Sequence, residues 1–418
     1  MADADGLVDS LSFSVWRFRD FRLWMIARFF ANFARHMQEV VIAWQIYQLT
    51  HSALALGLTG LAEGLPYIGM ALWAGHLSDR HQKRRLMLGA QAGVLLSSAT
   101  LLLLSFLPHP KLIFFYAVIG IVGISNSFEM SSGSAYVQMI FPKHHFPRAA
   151  AWNLSLFLSS LILGPTLGGW LLARSSPRAT YGLAVGLLVV AVTLTSQLRN
   201  LGTPAGPAES ESALSRVAAG IRYIRQQRLI LAAMSLDMFA VLFGDAVALF
   251  PIFADLFHAG PTGLGLLRAA PAVGSLIMAL VLAQYPFVKP RWSTLRVAVT
   301  IFGIAMIGFA LSRNFLLSLG LLAIGGMADS VSVVTRQSIY QALTPDSLRG
   351  RVASVSGIFI SSSNEIGAFE SGLVARLIGT VPSVVFGGTM TLLSVLLMTL
   401  KFPRLKSPEL EPEQAPPK

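Results

Sequence analysis

Several ionisable side chains sit inside long apolar runs, where a charge is costly unless it faces protein or water. Arg28, Arg35, Glu39, Glu129, Asp237, Asp245, Asp329, Arg336 and Glu365 are the main ones, joined by Arg268 and Glu370. Such residues mark substrate paths, ion paths and proton relays. Arg35 and Glu39 are four apart, share one helix face and can pair, as a lock, a substrate contact or a purely structural ion pair. Glu129 and Asp245 have no obvious cation in their own runs, which suits proton carriage; pairing with Arg28 or Arg336 across a bundle is the other reading. Asp329 and Arg336, seven apart, share a face and could hold opposite ends of a ligand or pair elsewhere. Asp237, nearer a helix end, is expected to be solvated, and His36 to be a hydrogen-bonding wall residue. Aromatics of the same runs, among them Phe33, Trp44 and Phe243, could meet an aromatic ligand or simply pack. This is the chemistry of binding and proton exchange. There is no GxxxxGK[ST], HExxH or GxSxG, so neither ATP-driven pumping nor hydrolysis has a site, and no enzyme activity is expected. Cysteine is absent, which excludes disulfides and thiolate metal sites; no metal or cofactor is expected.

The elements that must position these groups follow from composition. Of 418 residues, 54% are apolar and only 12% charged, with a mean hydropathy of +0.63. A soluble protein carries about 25% charged residues. A membrane-crossing helix takes about 20 apolar residues, so twelve would use roughly 240. Suitable runs lie at 21–48, 54–77, 86–107, 112–140, 148–172 and 180–198, then at 229–256, 262–285, 296–311, 315–341, 351–375 and 381–401. The expected organisation is an N-terminal segment (1–20), a six-helix bundle (21–198), a linker (199–228), a second six-helix bundle (229–402) and a tail (403–418).

Positively charged loops stay on the cytoplasmic side. With the N-terminus inside, 23 of the 32 Lys and Arg fall in cytoplasmic segments, five in outer loops and four within the runs. Both termini and the linker are therefore expected to be cytoplasmic, and the net charge of +12 is accounted for by insertion and anionic lipid, leaving nucleic acid no support. The first residues, with Asp3, Asp5 and Asp9, show no basic n-region and no cleavable signal peptide is expected. The linker turns from Gly, Pro and Ser to an amphipathic stretch in which Arg216, Arg222, Arg225 and Arg228 alternate with Val217, Ile221, Tyr223 and Ile224. A helix at headgroup level is expected there. The Pro- and Glu-rich tail reads as disordered.

At an offset of 203 residues, Gln138–Gly169 matches Gln341–Gly372, with identities that include Pro142 and Pro345, Arg148 and Arg351, Gly164 and Gly367, Gly169 and Gly372. The matches fall at equivalent places in the two sets of six runs, so duplication explains them. Inverted or duplicated halves around a midplane cavity are common among secondary transporters.

On these motifs the chain resembles the major facilitator superfamily over nearly its whole length. Gly75-His-Leu77-Ser-Asp79-Arg80, followed by Lys83, Arg84 and Arg85, resembles that superfamily's cytoplasmic gate motif. Gly164-Pro165-Thr-Leu-Gly168-Gly169 resembles its antiporter motif, with Ser160 where a leading Gly is preferred. Phe21-Arg22, the Thr344-Pro345-Asp346 to Arg351 loop, and the Asn364 to Gly372 segment resemble the branch of siderophore exporters and drug antiporters. The resemblance implies an all-α membrane protein of twelve transmembrane helices in two pseudo-symmetric bundles, with the first, fourth, seventh and tenth helices lining a central cavity. It implies a gate formed by Gly75, Asp79, Arg80, Arg84, Arg148 and Arg351, and an exporter of a small amphipathic organic molecule, a siderophore or drug, by proton antiport. A proton-independent facilitator or flippase of a lipid-like solute is the alternative, since the fourth run has Glu129 but no Arg. The expected setting is a bacterial inner membrane, with lipid, a small molecule and protons as partners and a monomeric state. Physically, Gly75 would let the second helix approach a neighbour closely, Asp79 would act as a charge latch, and Pro165 with its small neighbours suits a bend or a sealed interface.

Overall fold

The computed structural model describes residues 14–108, 110–140, 145–201, 213–285 and 291–402. Among them every regular element is helical. The helices are α1 (Arg19–Thr50), α2 (Ala53–Arg80), α3 (Lys83–Leu104), α4 (Leu112–Ile140), α5 (Phe146–Arg174), α6 (Pro177–Ser196), α7 (Ala213–Gln226), α8 (Arg228–Gly244), α9 (Phe250–Leu256), α10 (Gly260–Gln284), α11 (Trp292–Leu311), α12 (Phe315–Leu343), α13 (Asp346–Ile378) and α14 (Thr380–Lys401). Setting aside α7 and counting α8 with α9 as one interrupted crossing, this gives the twelve crossings expected from composition. Ten are long and apolar enough to span a bilayer on that ground alone. The other two, α1 and α13, have 32 and 33 residues but are interrupted by charges, which in hydrocarbon must be turned toward protein or water. Large apolar side chains such as Trp73, Leu316 and Leu377 are exposed, as lipid-facing groups are.

The chain ends and turns its helices by local chemistry. Ser52, Ser176 and Asn314 accept hydrogen bonds from the backbone N–H of Ala55, Ala179 and Leu317, capping α2, α6 and α12. Gly379, at φ +95°, makes the sharp turn from α13 to α14 that a side chain would strain. The seventh crossing breaks after Gly244. Asp245 Oδ1 accepts from the backbone N–H of Val247 at 2.9 Å, satisfying part of the interrupted ladder before a short 3-10 turn leads into α9.

Two compact units result. The first comprises Met1–Glu209 with Phe250–Ala269, and the second Ser210–Leu249 with Ala270–Lys418. Thus α9 and the first turns of α10 belong to the first unit. In that unit α1 is the central helix, and Val41, Ile46, Leu56, Phe115 and Tyr181 form one of its cores. The backbones of α2 and α4 meet at Gly123, where a Cβ would run into the backbone of Glu63. That close approach places Glu63 beside Asn126. At the basic end, Tyr136 donates to the carbonyl of Arg199 at 3.0 Å, Arg199 N–H donates to Asp20 at 3.2 Å, and Arg84 donates to the carbonyl of Ser196.

In the second unit, Ile224, Leu229, Trp292, Leu295, Tyr340, Val352 and Val355 form one cluster. It gathers the ends of α7, α8, α11, α12 and α13 at one end of the unit. The linker helix α7 accordingly spends its apolar face on protein: Val217 and Ile221 pack on this cluster, Gly220 lies on the carbonyl of Arg351, and Tyr223 donates to the carbonyl of Leu343. Arg222 and Arg225 remain exposed.

Candidate functional site

The polar centre of the first unit is a network on four helices. Arg35 Nε donates to Glu39 Oε1 at 3.0 Å, as the four-residue spacing on α1 implies. Its Nη2 also donates to Glu63 Oε1 on α2 at 2.9 Å. The same Glu63 oxygen accepts from Asn126 Nδ2 of α4 at 3.0 Å. Glu39 Oε2 accepts from Arg268 Nη1 of α10 at 3.2 Å and lies 3.2 Å from His36 Nδ1. Two guanidiniums and two carboxylates therefore neutralise one another, with an imidazole and an amide attached. The Arg35, Glu39, Glu63 and Arg268 side chains retain 31%, 29%, 21% and 16% of their accessibility, so water and small solutes can reach the network. Nearby, Glu129 accepts from Gln91 Nε2 at 3.5 Å and lies within electrostatic reach of Arg28, whose guanidinium sits 5.1 Å from the Trp24 ring centre.

The antiporter-like motif lies on α5 with two packed faces. Gly164 and Gly168 meet α1, where added Cβ atoms would lie 2.9 Å from His36 Cβ and 2.7 Å from the Met37 carbonyl. Gly169 meets Pro261 and Gly265 at the start of α10, and Gly265 in turn lies on the Pro165 carbonyl. The motif thus seats α5 against the helices that carry Glu39 and Arg268. Tyr47 of α1 donates to Asp255 Oδ2 of α9 at 2.6 Å, a further tie in the same unit.

The second unit holds a separate set of charges. Arg336 of α12 forms an ion pair with Asp237 of α8, and both are buried, at 3% and 7% exposure. Asp237 is therefore not solvated as expected: the turn of α12 that carries Arg336 packs over it and replaces water. Asp245 is engaged in the backbone cap, and its main-chain carbonyl accepts from Ser371 Oγ at 2.6 Å. Asp329 lies within electrostatic reach of Asp245. Glu365 is half-buried on α13.

Of the expected gate residues, Arg84 is engaged with α6, Arg148 is half-buried, Arg80 is exposed and Arg351 supports α7 through its carbonyl. The side chain of Asp79 lies outside the described residues. At Gly75 a Cβ would meet nothing within 4 Å among the described residues. Sequence reasoning missed Glu63, although it is the sole charged residue between Ala53 and Ala71, which was signal enough. It also missed Asp255.

Comparison with known proteins agrees with this architecture. The chain is 26% identical to an enterobactin exporter of Citrobacter koseri over 404 residues, covering 95% of each chain. It is 26% identical to enterobactin exporters of Shigella boydii and Escherichia coli over 385 residues, covering 90% of this chain and 91% of theirs. Among solved structures it is similar to a nucleoside transporter (TM-score 0.69, 14% identity, 92% of this chain and 100% of that one). It is also similar to a POT family transporter in complex with 5-aminolevulinic acid (TM-score 0.72, 12% identity, 92% and 96%). A third is the human organic anion transporter MFSD10 (TM-score 0.63, 15% identity, 91% and 99%). These likenesses establish the twelve-helix major facilitator fold. The model of the family described as transmembrane secretion effector matches residues 10–418, and the chain, a membrane transporter rather than an enzyme, belongs to that family.

Proposed function

We propose that this chain is a secondary active exporter of a siderophore or similar amphipathic organic molecule, exchanging it for protons by alternating access in a bacterial inner membrane. The relatives' printed activity supports the substrate class. The observation that carries the exchange is the sharing of Arg35 between Glu39 and Glu63 in a neutral, water-reachable network. A hydroxyl-bearing ligand can donate to the same carboxylate oxygens that now accept from Arg35, Arg268 and Asn126. A proton on such an oxygen makes it a donor and weakens the acceptor capacity that remains, so ligand and proton oppose each other's binding, which is the requirement for exchange. Each partner thus carries the site back in the opposite direction to the other. In this reading both termini are cytoplasmic, the two six-helix halves (21–198 and 229–402) move about the cavity, and Asp79 with Arg80 closes the inner side. Asp329, Asp245 and Glu365 are the further polar residues of the second half, and the transporter works as a monomer.

The test is accumulation of enterobactin in everted membrane vesicles under an imposed pH gradient. Wild type responds to the gradient, while Glu39→Gln and Glu63→Gln lose the response. Flux indifferent to the gradient refutes the coupling. A proton-independent facilitator is the second reading, favoured by the guanidinium that faces each carboxylate, as in a fixed conformational latch. In that case both variants, together with Glu129→Gln and Asp245→Asn, retain downhill flux.

A further inference from the structure

The second unit has a lateral groove of about 640 Å³ between α10, α11 and α12. Its walls are apolar for most of their length, with Val297 and Ile301 of α11 facing Ile324 of α12, all three exposed at 58%, 42% and 45%. Its mouth is polar: Arg291, which precedes α11, and Ser293 and Thr294 in the first turn. Arg291 and Ser293 are exposed. The mouth lies at the basic end of the unit, because Trp292 and Leu295 share a cluster with Ile224 of the arginine-bearing α7 and with Val352 beside Arg351.

We propose that this groove binds an anionic phospholipid of the leaflet that surrounds the basic end. Three physical points select that occupant. A lipid-facing groove left empty in hydrocarbon forfeits dispersion contacts on every wall, and an acyl chain is the molecule at hand to restore them. From Arg291 to Ile301 is ten residues, about 15 Å of helix at 1.5 Å per residue, half of a hydrocarbon core about 30 Å thick. The groove therefore fits one chain of one leaflet and not a membrane-spanning ligand. At its mouth, a guanidinium flanked by two hydroxyls matches a phosphodiester, since Arg can donate two parallel hydrogen bonds to phosphate oxygens. Basic end segments also face the anionic leaflet by the same rule that orients the helices. The site is independent of the charge network of the first unit, so it stands whether or not transport is coupled to protons.

The experiment is native mass spectrometry of the full-length protein released from nanodiscs of equimolar phosphatidylglycerol and phosphatidylcholine. Wild type is expected to retain phosphatidylglycerol at least threefold over phosphatidylcholine. Arg291→Ala lowers that preference to near unity, and Arg291→Lys, which keeps the charge and loses the fork, leaves an intermediate value. Val297→Trp fills the groove from an outward-facing position and lowers retention of both lipids, whereas Arg313→Ala at the opposite end of α11 changes neither. Equal retention of the two lipids by wild type overturns the proposal, as does a preference unchanged in Arg291→Ala. Displacement of phosphatidylglycerol by enterobactin would assign the groove to the transported molecule and equally overturn it.

Discussion

Replacing Glu39 by glutamine removes the carboxylate that accepts from both Arg35 and Arg268, at 3.0 and 3.2 Å. Arg35 retains Glu63, but Arg268 is left with no other carboxylate in the network, and the network passes from neutral to a charge of +1. Removing one partner of a fully buried pair costs about 3–5 kcal/mol. These side chains keep 16–31% of their accessibility, so water recovers part of that, and about 2 kcal/mol is expected. The charge count then makes a sharper statement. Glu39→Gln with Arg268→Gln restores neutrality and recovers most of the loss, giving a coupling of about 1–2 kcal/mol in a double-mutant cycle. Glu39→Gln with Arg35→Gln recovers less, because it leaves Glu63 with Asn126 but no cation and Arg268 with no carboxylate in the network. The assay is reversible denaturant unfolding of the purified protein in detergent for the four members of each cycle. Additivity within about 0.3–0.5 kcal/mol in the Arg268 cycle would refute the network as an energetic unit.

Three further outcomes follow from packing and pairing. Asp237→Asn leaves Arg336 buried at 3% exposure without its counterion and is expected to cost about 3 kcal/mol, largely recovered in Asp237→Asn with Arg336→Met, by the same unfolding assay. Gly169→Ala drives a methyl into Pro261 and Gly265 and should cost about 1–3 kcal/mol, whereas Gly182→Ala, where a Cβ meets nothing within 4 Å, should stabilise by about 0.5–1 kcal/mol; thermal unfolding separates the two signs. Tyr47→Phe strands Asp255 by removing a 2.6 Å hydrogen bond and should cost about 1 kcal/mol, doubled by none of the effects of Gly169→Ala if the two ties act independently.

The crossings were legible because bilayer solvation imposes a length and a composition that need no tertiary information: the run at 112–140 coincides with α4. Even the two crossings that fail on apolarity were legible, since the runs at 21–48 and 351–375 are long enough to cross despite the charges that interrupt α1 and α13. Within one helix, spacing was enough, and Arg35 pairs with Glu39 as the four-residue offset requires. Pairing between helices was not legible. Arg35 reaches Glu63 across 28 residues and Arg336 reaches Asp237 across 99, distances that depend on which helix faces which. Concentrating on the first, fourth, seventh and tenth crossings also passed over Glu63 on α2, which the glycine contact of α4 brings to the network.

The central claim is that ligand and proton compete for the carboxylates of Glu39 and Glu63. Its most direct measurement is the pH dependence of enterobactin binding to the detergent-solubilised protein. The account predicts that wild-type affinity falls as the pH is lowered and the carboxylates gain protons, that Glu39→Gln or Glu63→Gln flattens this dependence, and that replacing both abolishes it. Saturable binding to wild type with one affinity across pH 5.5 to 8 would contradict it.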